Sequence, residues 1–284
     1  MHVTSGPVLK RFSKVAFCLW LFALVQSVLA MLDIVTINQS STERVLFGIV
    51  ELLTMALLIL NAVTIRNFIT KQNCANAYRF SKICLYSLLF CAAGDIVNRN
   101  FPQLFYQYDE VIKHSYLADS VLFFFPGYLM LVIGIAHLAI KSGLSKKWLV
   151  ISTLLVTVVA LVTYRDMHLL TTNSVFTFIT ASYSVLVSIL ALSAIWLIMS
   201  CTQTKIPVRL WYVAVGLVLA MIADALIGKF WIFGAQGQGY FPLVSHINWI
   251  IYFGSQALIQ QLPIALLQIK QHHNHVNAAP IISN

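Results

Sequence analysis

The chain has 284 residues, 60% of them hydrophobic and 10% charged, with a mean hydropathy of +0.84. An average soluble domain carries roughly 25% charged residues, so this composition excludes a water-soluble fold, which could not hide so much apolar surface. Eighteen Lys and Arg against nine Asp and Glu leave a net charge of +9. In a soluble chain that balance would point to nucleic acid, but here the charges fall between long apolar runs and no nucleic-acid partner is expected.

A helix rising about 1.5 Å per residue needs roughly 20 apolar residues to cross roughly 30 Å of hydrocarbon. In chain order the runs of that length are Val15 to Val35, Val45 to Thr64, Phe80 to Asn98, Asp119 to Ile140, Trp148 to Tyr164, Ser174 to Met199, Leu210 to Ile227 and Val244 to Gln268. The reading is an all-α polytopic transmembrane bundle of about eight helices, an integral multi-pass protein, in the inner or plasma membrane if the source is bacterial. Residues 1–14 form a basic cytoplasmic N-terminus, 15–268 the eight-helix membrane domain, and 269–284 a polar cytoplasmic tail.

The first run follows Lys10, Arg11 and Lys14 and contains Val28-Leu29-Ala30, a small-residue pattern that would also suit signal-peptide cleavage. An uncleaved first span is preferred because it keeps the helix count even. Between the third and fourth runs, Arg99 to Ala118 carries Phe101, Phe105, Tyr106, Tyr108 and Tyr116, residues that favour the membrane–water interface. Gly234 to Tyr240 is a Gly-rich turn with no preceding strand, so a phosphate-binding loop is not expected. The tail His272-His273-Asn274-His275 reads as a solvated end. The five cysteines are scattered without a CxxC pair, which argues against a disulfide framework and a thiolate metal site.

With the N-terminus cytoplasmic, thirteen of the Lys and Arg fall in inner segments, and only Arg44, Arg99, Lys113, Arg165 and Lys229 fall outside. Cytoplasmic loops collect Lys and Arg, so the asymmetry places both termini inside.

The chemical signal is acidic. A charged side chain at the bilayer centre costs at least about 2.5 to 3.5 kcal/mol, so intramembrane acids face a protein interior or a wet cavity. Glu51, Asp95 and Asp224 lie within runs, whereas Asp33 and Asp119 lie near ends, where water reaches them. Asp224 shares a four-residue spacing with Gly216, Ala220 and Gly228, and Asp95 shares one with Ser87 and Cys91. Small residues on such faces let helices approach closely. If the two faces border one cavity, the two carboxyls converge at similar depth. A protonated acid would then stand beside a carboxylate, a pair suited to acid–base chemistry without metal or cofactor. The alternative is structural, each Asp capping a helix or bonding a neighbouring hydroxyl. His137 falls near the inner end of its helix, where a packing or interfacial role is expected. Tyr252 and Gln256 stand at i and i+4 in the eighth run, sharing a face that either orients a polar substrate group or bonds across helices.

These residues resemble a known family. Leu85-Tyr-Ser-Leu-Leu-Phe-Cys-Ala-Ala-Gly94-Asp95 is similar to the GLxFSxxGDxxL helix of the YhhN/lysoplasmalogenase family, and the stretch from Gly216 through Ala223-Asp224 to Phe230 is similar to its GxxLFxxSDxxLxxxxF helix. Tyr252-Phe-Gly-Ser-Gln256 resembles its YxxAQ element, and the matches run in order from about Arg44 to Leu262. The resemblance implies an eight-helix protein that hydrolyses the vinyl ether bond of lysoplasmalogens and releases a fatty aldehyde. It implies catalytic roles for Asp95 and Asp224, and a substrate-binding border formed by Tyr252, Gln256 and the Glu51 position. Its partner is then a lysophospholipid or other amphiphilic lipid. Leu53-Thr-Met55 matches the end of the family's KPLTM, but Glu51 and Leu52 stand where its Lys and Pro would be. Ala223 replaces its serine, and Ile140 replaces the tyrosine of its HxxY. The residues alone also admit a small proton-coupled transporter, with the three acids as its path, or a non-catalytic lipid-binding protein.

Overall fold

The structure is a computed structural model that describes residues 6–32, 34, 41–99, 114–167, 174–201, 206–232 and 242–277. The described residues form α1 (Gly6–Met31), α2 (Ser41–Thr70), α3 (Ala75–Arg99), α4 (His114–Lys141), α5 (Lys146–Met167), α6 (Ser174–Met199), α7 (Val208–Ile227), α8 (Pro242–Ile259) and α9 (Leu262–Asn277). A π-helical turn, Gly228–Ile232, extends α7. Eight membrane-crossing lengths result, because α8 and α9 together make the last span. Helices are what the composition demands, since backbone N–H and C=O groups in hydrocarbon must be satisfied within the segment. Most of the aromatic segment after Arg99 and the Gly234 to Tyr240 turn lie outside the described residues, whereas the histidine tail continues α9 as helix to Asn277.

The last span is central: 83% of its apolar window is buried, against 22% for α1 and for α5. Around it stand α1, α2, α3, α4, α6 and α7, each packed on its neighbours, while α5 packs mainly on α6. The outward face of α5, with Leu154, Val158 and Val162 exposed, presents the apolar surface that lipid would cover. At the opposite flank, Ser13 of α1 donates to Gln261 Oε1 (2.7 Å), and Arg209 of α7 donates through Nη2 to the Leu9 carbonyl (3.3 Å).

The sequence suggested one uninterrupted span from Val244 to Gln268, whereas the chain turns at Gln260 and Gln261. Pro263 has no N–H to return to the Ile259 carbonyl, which instead accepts the Cys84 thiol at 3.8 Å. Gln260 Nε2 in turn donates to the Cys84 carbonyl at 3.1 Å. Both ends of the break are therefore tied to α3 inside the bundle, as broken membrane helices require. The turn after α4 is made differently. Gly143 adopts φ 97°, and its N–H and that of Leu144 return to the Ile140 and Ala139 carbonyls, the paired bonds of a glycine-terminated helix.

The small-residue stripe on α7 meets α8 rather than α3. A Cβ on Gly216 would lie 2.8 Å from Leu258 Cβ and 3.0 Å from the Ser255 carbonyl, so glycine permits the close packing of α7 on α8. Farther along, a Cβ on Gly228 would meet nothing within 4 Å, because that end of the stripe borders a cavity.

Candidate active site

Asp95 lies one turn before the end of α3, buried at 6% exposure. The Tyr252 hydroxyl of α8 donates to its Oδ2 at 2.8 Å. The Tyr252 ring is held edge-on by Phe124 of α4 (6.0 Å, 86°) and packs against Trp249 (5.9 Å). Phe124 also fills the space over Gly94, where a Cβ would come within 2.6 Å of its ring. The glycine before Asp95 thus lets the ring that braces Tyr252 approach α3.

Asp224 stands near the end of α7, one turn before the π-helical residues, and the Gly228 N–H points back to the Asp224 and Ala225 carbonyls. Its Oδ2 is buried and has no hydrogen-bond partner among the described residues. The phenols of Tyr183 on α6 and Tyr128 on α4 interact with this carboxyl. Tyr128 is fully buried, its ring parallel to Tyr183 (6.4 Å, 19°), and its hydroxyl accepts from Gln256 Nε2 at 3.3 Å.

Asp95 and Asp224 therefore stand on inward faces of α3 and α7 whose helices do not pack face to face, and of the two it is Asp224 that lines a cavity. They interact electrostatically with each other, and Cys91, one turn before Asp95, lies within reach of both. Tyr252, Tyr128 and Gln256 fill the interval from α8 and α4. The four-residue spacing put each acid on an inward face but left open what lay between.

The third acid is placed differently. Glu51 of α2 is buried and ion-paired with Arg99, the last residue of α3. The sequence put Arg99 in an outer connection; in the fold it is four residues beyond Asp95 on the same helix and closes on Glu51. Exposed His137 lies apart from this group.

Beside Asp224 opens an apolar cavity of about 630 Å³ between α4, α5, α6 and α7. Its polar end carries Asp224, Asn98, Ser120 and Tyr183, and its walls are Val156, Val159, Val187, Leu192 and Ile195 among others. The lining on α6 runs from Thr180 to Ile195, a rise of roughly 22 Å. Among the described residues no cluster of three or more His, Cys, Asp or Glu is arranged to hold a metal ion.

Tyr128, Tyr183, Phe124 and Arg99 did not emerge from the sequence as site residues. The tyrosines carried a signal, since a phenol within an apolar run needs a hydrogen-bond partner.

Comparison with curated protein sequences and with solved structures finds no match. The model of the YhhN family matches residues 44–262, from the start of α2 through the central break. The match takes in both aspartates, the Glu51–Arg99 pair and the tyrosines between them, and it covers most of the chain, which belongs to the YhhN family.

Proposed function

We propose that this protein is a membrane-embedded hydrolase that cleaves the vinyl ether bond of lysoplasmalogens. The observation that carries the reading is Asp224 on the wall of a long apolar cavity, with the buried Asp95 close enough to interact with it electrostatically. The resemblance in sequence and the family membership support the substrate class.

The reaction adds water across the ether. An acid protonates the alkene carbon distal to oxygen, the adjacent carbon becomes an oxocarbenium ion, and water attacks it. The hemiacetal then collapses to a fatty aldehyde and a glycerophospho-base. Paired carboxyls suit such a cation-like path, one donating the proton and the other stabilising positive charge and activating water. The two acids divide the roles of proton donor and of base and cation stabiliser, and each has phenols beside it, Tyr252 on Asp95 and Tyr183 and Tyr128 on Asp224. Tyr252 and Gln256 position Asp95 and Tyr128, and the alkyl chain lies along α6.

The test is a panel of lysolipids given to the purified protein in D2O, differing only in the sn-1 link: vinyl ether, alkyl ether or ester. Aldehyde from the vinyl ether alone, with one deuterium on the carbon next to the carbonyl, is the expected result. Flux of substrate across proteoliposomes with no covalent change would replace this reading with a transporter.

A further inference from the structure

Where α3 ends, side chains from α2 and α8 gather around one guanidinium. Arg99 is ion-paired with Glu51, and its Cζ lies 5.5 Å from the centroid of the Trp249 ring. His246, one turn before Trp249, interacts with Arg99, and its ring meets Phe47 of α2 edge-on at 5.3 Å. The Glu51 side chain is 2% exposed and that of Arg99 26%, so the carboxylate is enclosed while the guanidinium remains reachable.

Two buried groups at this place call for a ligand. Trp249 (4% exposed) and His246 (6% exposed) leave Nε1 and Nδ1 without hydrogen-bond partners among the described residues. Buried polar groups are rarely left so, and an indole N–H can only donate. The missing complement is therefore an acceptor, and next to a guanidinium the acceptor best suited is an anion. Guanidinium carries its N–H donors in a fork that matches phosphate oxygens.

We propose that Arg99 binds the phosphate of the lysolipid and sets the preference for phosphate-bearing substrates, with Glu51 as the residue that positions it. This rests on the lysolipid reading above and names the side chain that reads the head group. Arg99 lies four residues beyond Asp95, a rise of roughly 6 Å on one helix. That is comparable with the three-carbon glycerol backbone separating the sn-1 ether oxygen from the phosphate. The crossing segments end at Arg99 and begin again at Leu243, so the cluster stands at the level of lipid head groups. With the phosphate on Arg99, the ether reaches the aspartates and the chain enters the cavity beside Asn98 and Asp224. The arrangement also accounts for Glu51 standing where the resembling motif has lysine. The site keeps its positive charge, but α3 supplies it and α2 supplies the counter-ion.

The test measures binding without turnover. The full chain in maltoside micelles, which contain no phosphate, is titrated with a saturated O-alkyl lysophosphocholine and with the matching alkylglycerol, neither of which has a vinyl ether to cleave. The unaltered protein should bind the phosphocholine compound roughly ten-fold more tightly, and Arg99→Gln should bind the two alike. Arg99→Lys keeps the charge opposite Glu51, and so protects the fold, but loses the fork; its preference should fall several-fold. No preference in the unaltered protein, or a preference undiminished in either variant, overturns the proposal. Preference without aldehyde release in the lysolipid panel would reject the reaction and keep this site; aldehyde release without preference would do the reverse.

Discussion

Tyr252 carries the most direct polar contact in the site, and its ring and hydroxyl separate cleanly. Phenylalanine at this position keeps the packing against Phe124 and Trp249 but removes the donor to Asp95 Oδ2. A hydrogen bond to a charged group contributes about 1.5 to 3 kcal/mol, so Tyr252→Phe should lower kcat/KM about ten- to a hundred-fold with helix content unchanged. Steady-state kinetics beside circular dichroism checks this. At this scale the sequence made the positions of Asp95, Asp224, Tyr252 and Gln256 legible, because a charge in an apolar run is conspicuous and the motifs aligned. Arg99 was not legible. It sits at the edge of a run, where one added helical residue decides between an outer loop and a pair with buried Glu51. Tyr128 and Tyr183 hid for another reason, since an apolar ring with one polar tip reads as core until its neighbours are known.

Among the elements, the junction of α7 with α8 sets where Asp224 stands. Gly216 faces Leu258 Cβ, the Ser255 carbonyl and the Ile259 nitrogen, each within 3.2 Å of a built Cβ, and two of the three are backbone atoms that cannot rotate aside. Gly216→Val should push the helices apart at a cost of about 1 to 3 kcal/mol, read as a lower thermal midpoint, and should reduce activity by displacing Asp224 without touching it. An unchanged midpoint would mean that the glycine is incidental. The four-residue stripe was readable from the sequence, but its partner was not: periodicity identifies a face, and only tertiary packing selects which helix meets it. The break between α8 and α9 was missed for a local reason. Gln260-Gln261-Leu262-Pro263 lies inside an otherwise apolar run, and hydropathy averaging conceals a proline whose lost N–H has to be compensated by Cys84.

For the whole molecule, the eight crossing lengths followed from composition and run length alone, because the bilayer sets element length more strictly than water does. The order of packing did not follow. The central last span is the least hydropathic of the eight, at 1.4, and the peripheral α5 is more so, at 1.9, so burial does not track hydropathy along the chain. That arrangement creates the cavity along α6, which should measure chain length. Ala191 lines its middle, and Ala191→Phe should lower kcat/KM for long-chain substrates about ten-fold or more while sparing short ones. Equal effects on all chain lengths would place the alkyl chain elsewhere. The central claim is that Asp95 and Asp224 act as one chemical unit within this enclosure. Aldehyde release from a vinyl ether lysolipid by folded Asp95→Asn, Asp224→Asn and doubly substituted protein tests it most directly. The result expected is a loss of about a thousand-fold or more in each single variant and little further loss in the double, as for groups that act together. Full hydrolysis by either folded single variant would contradict it.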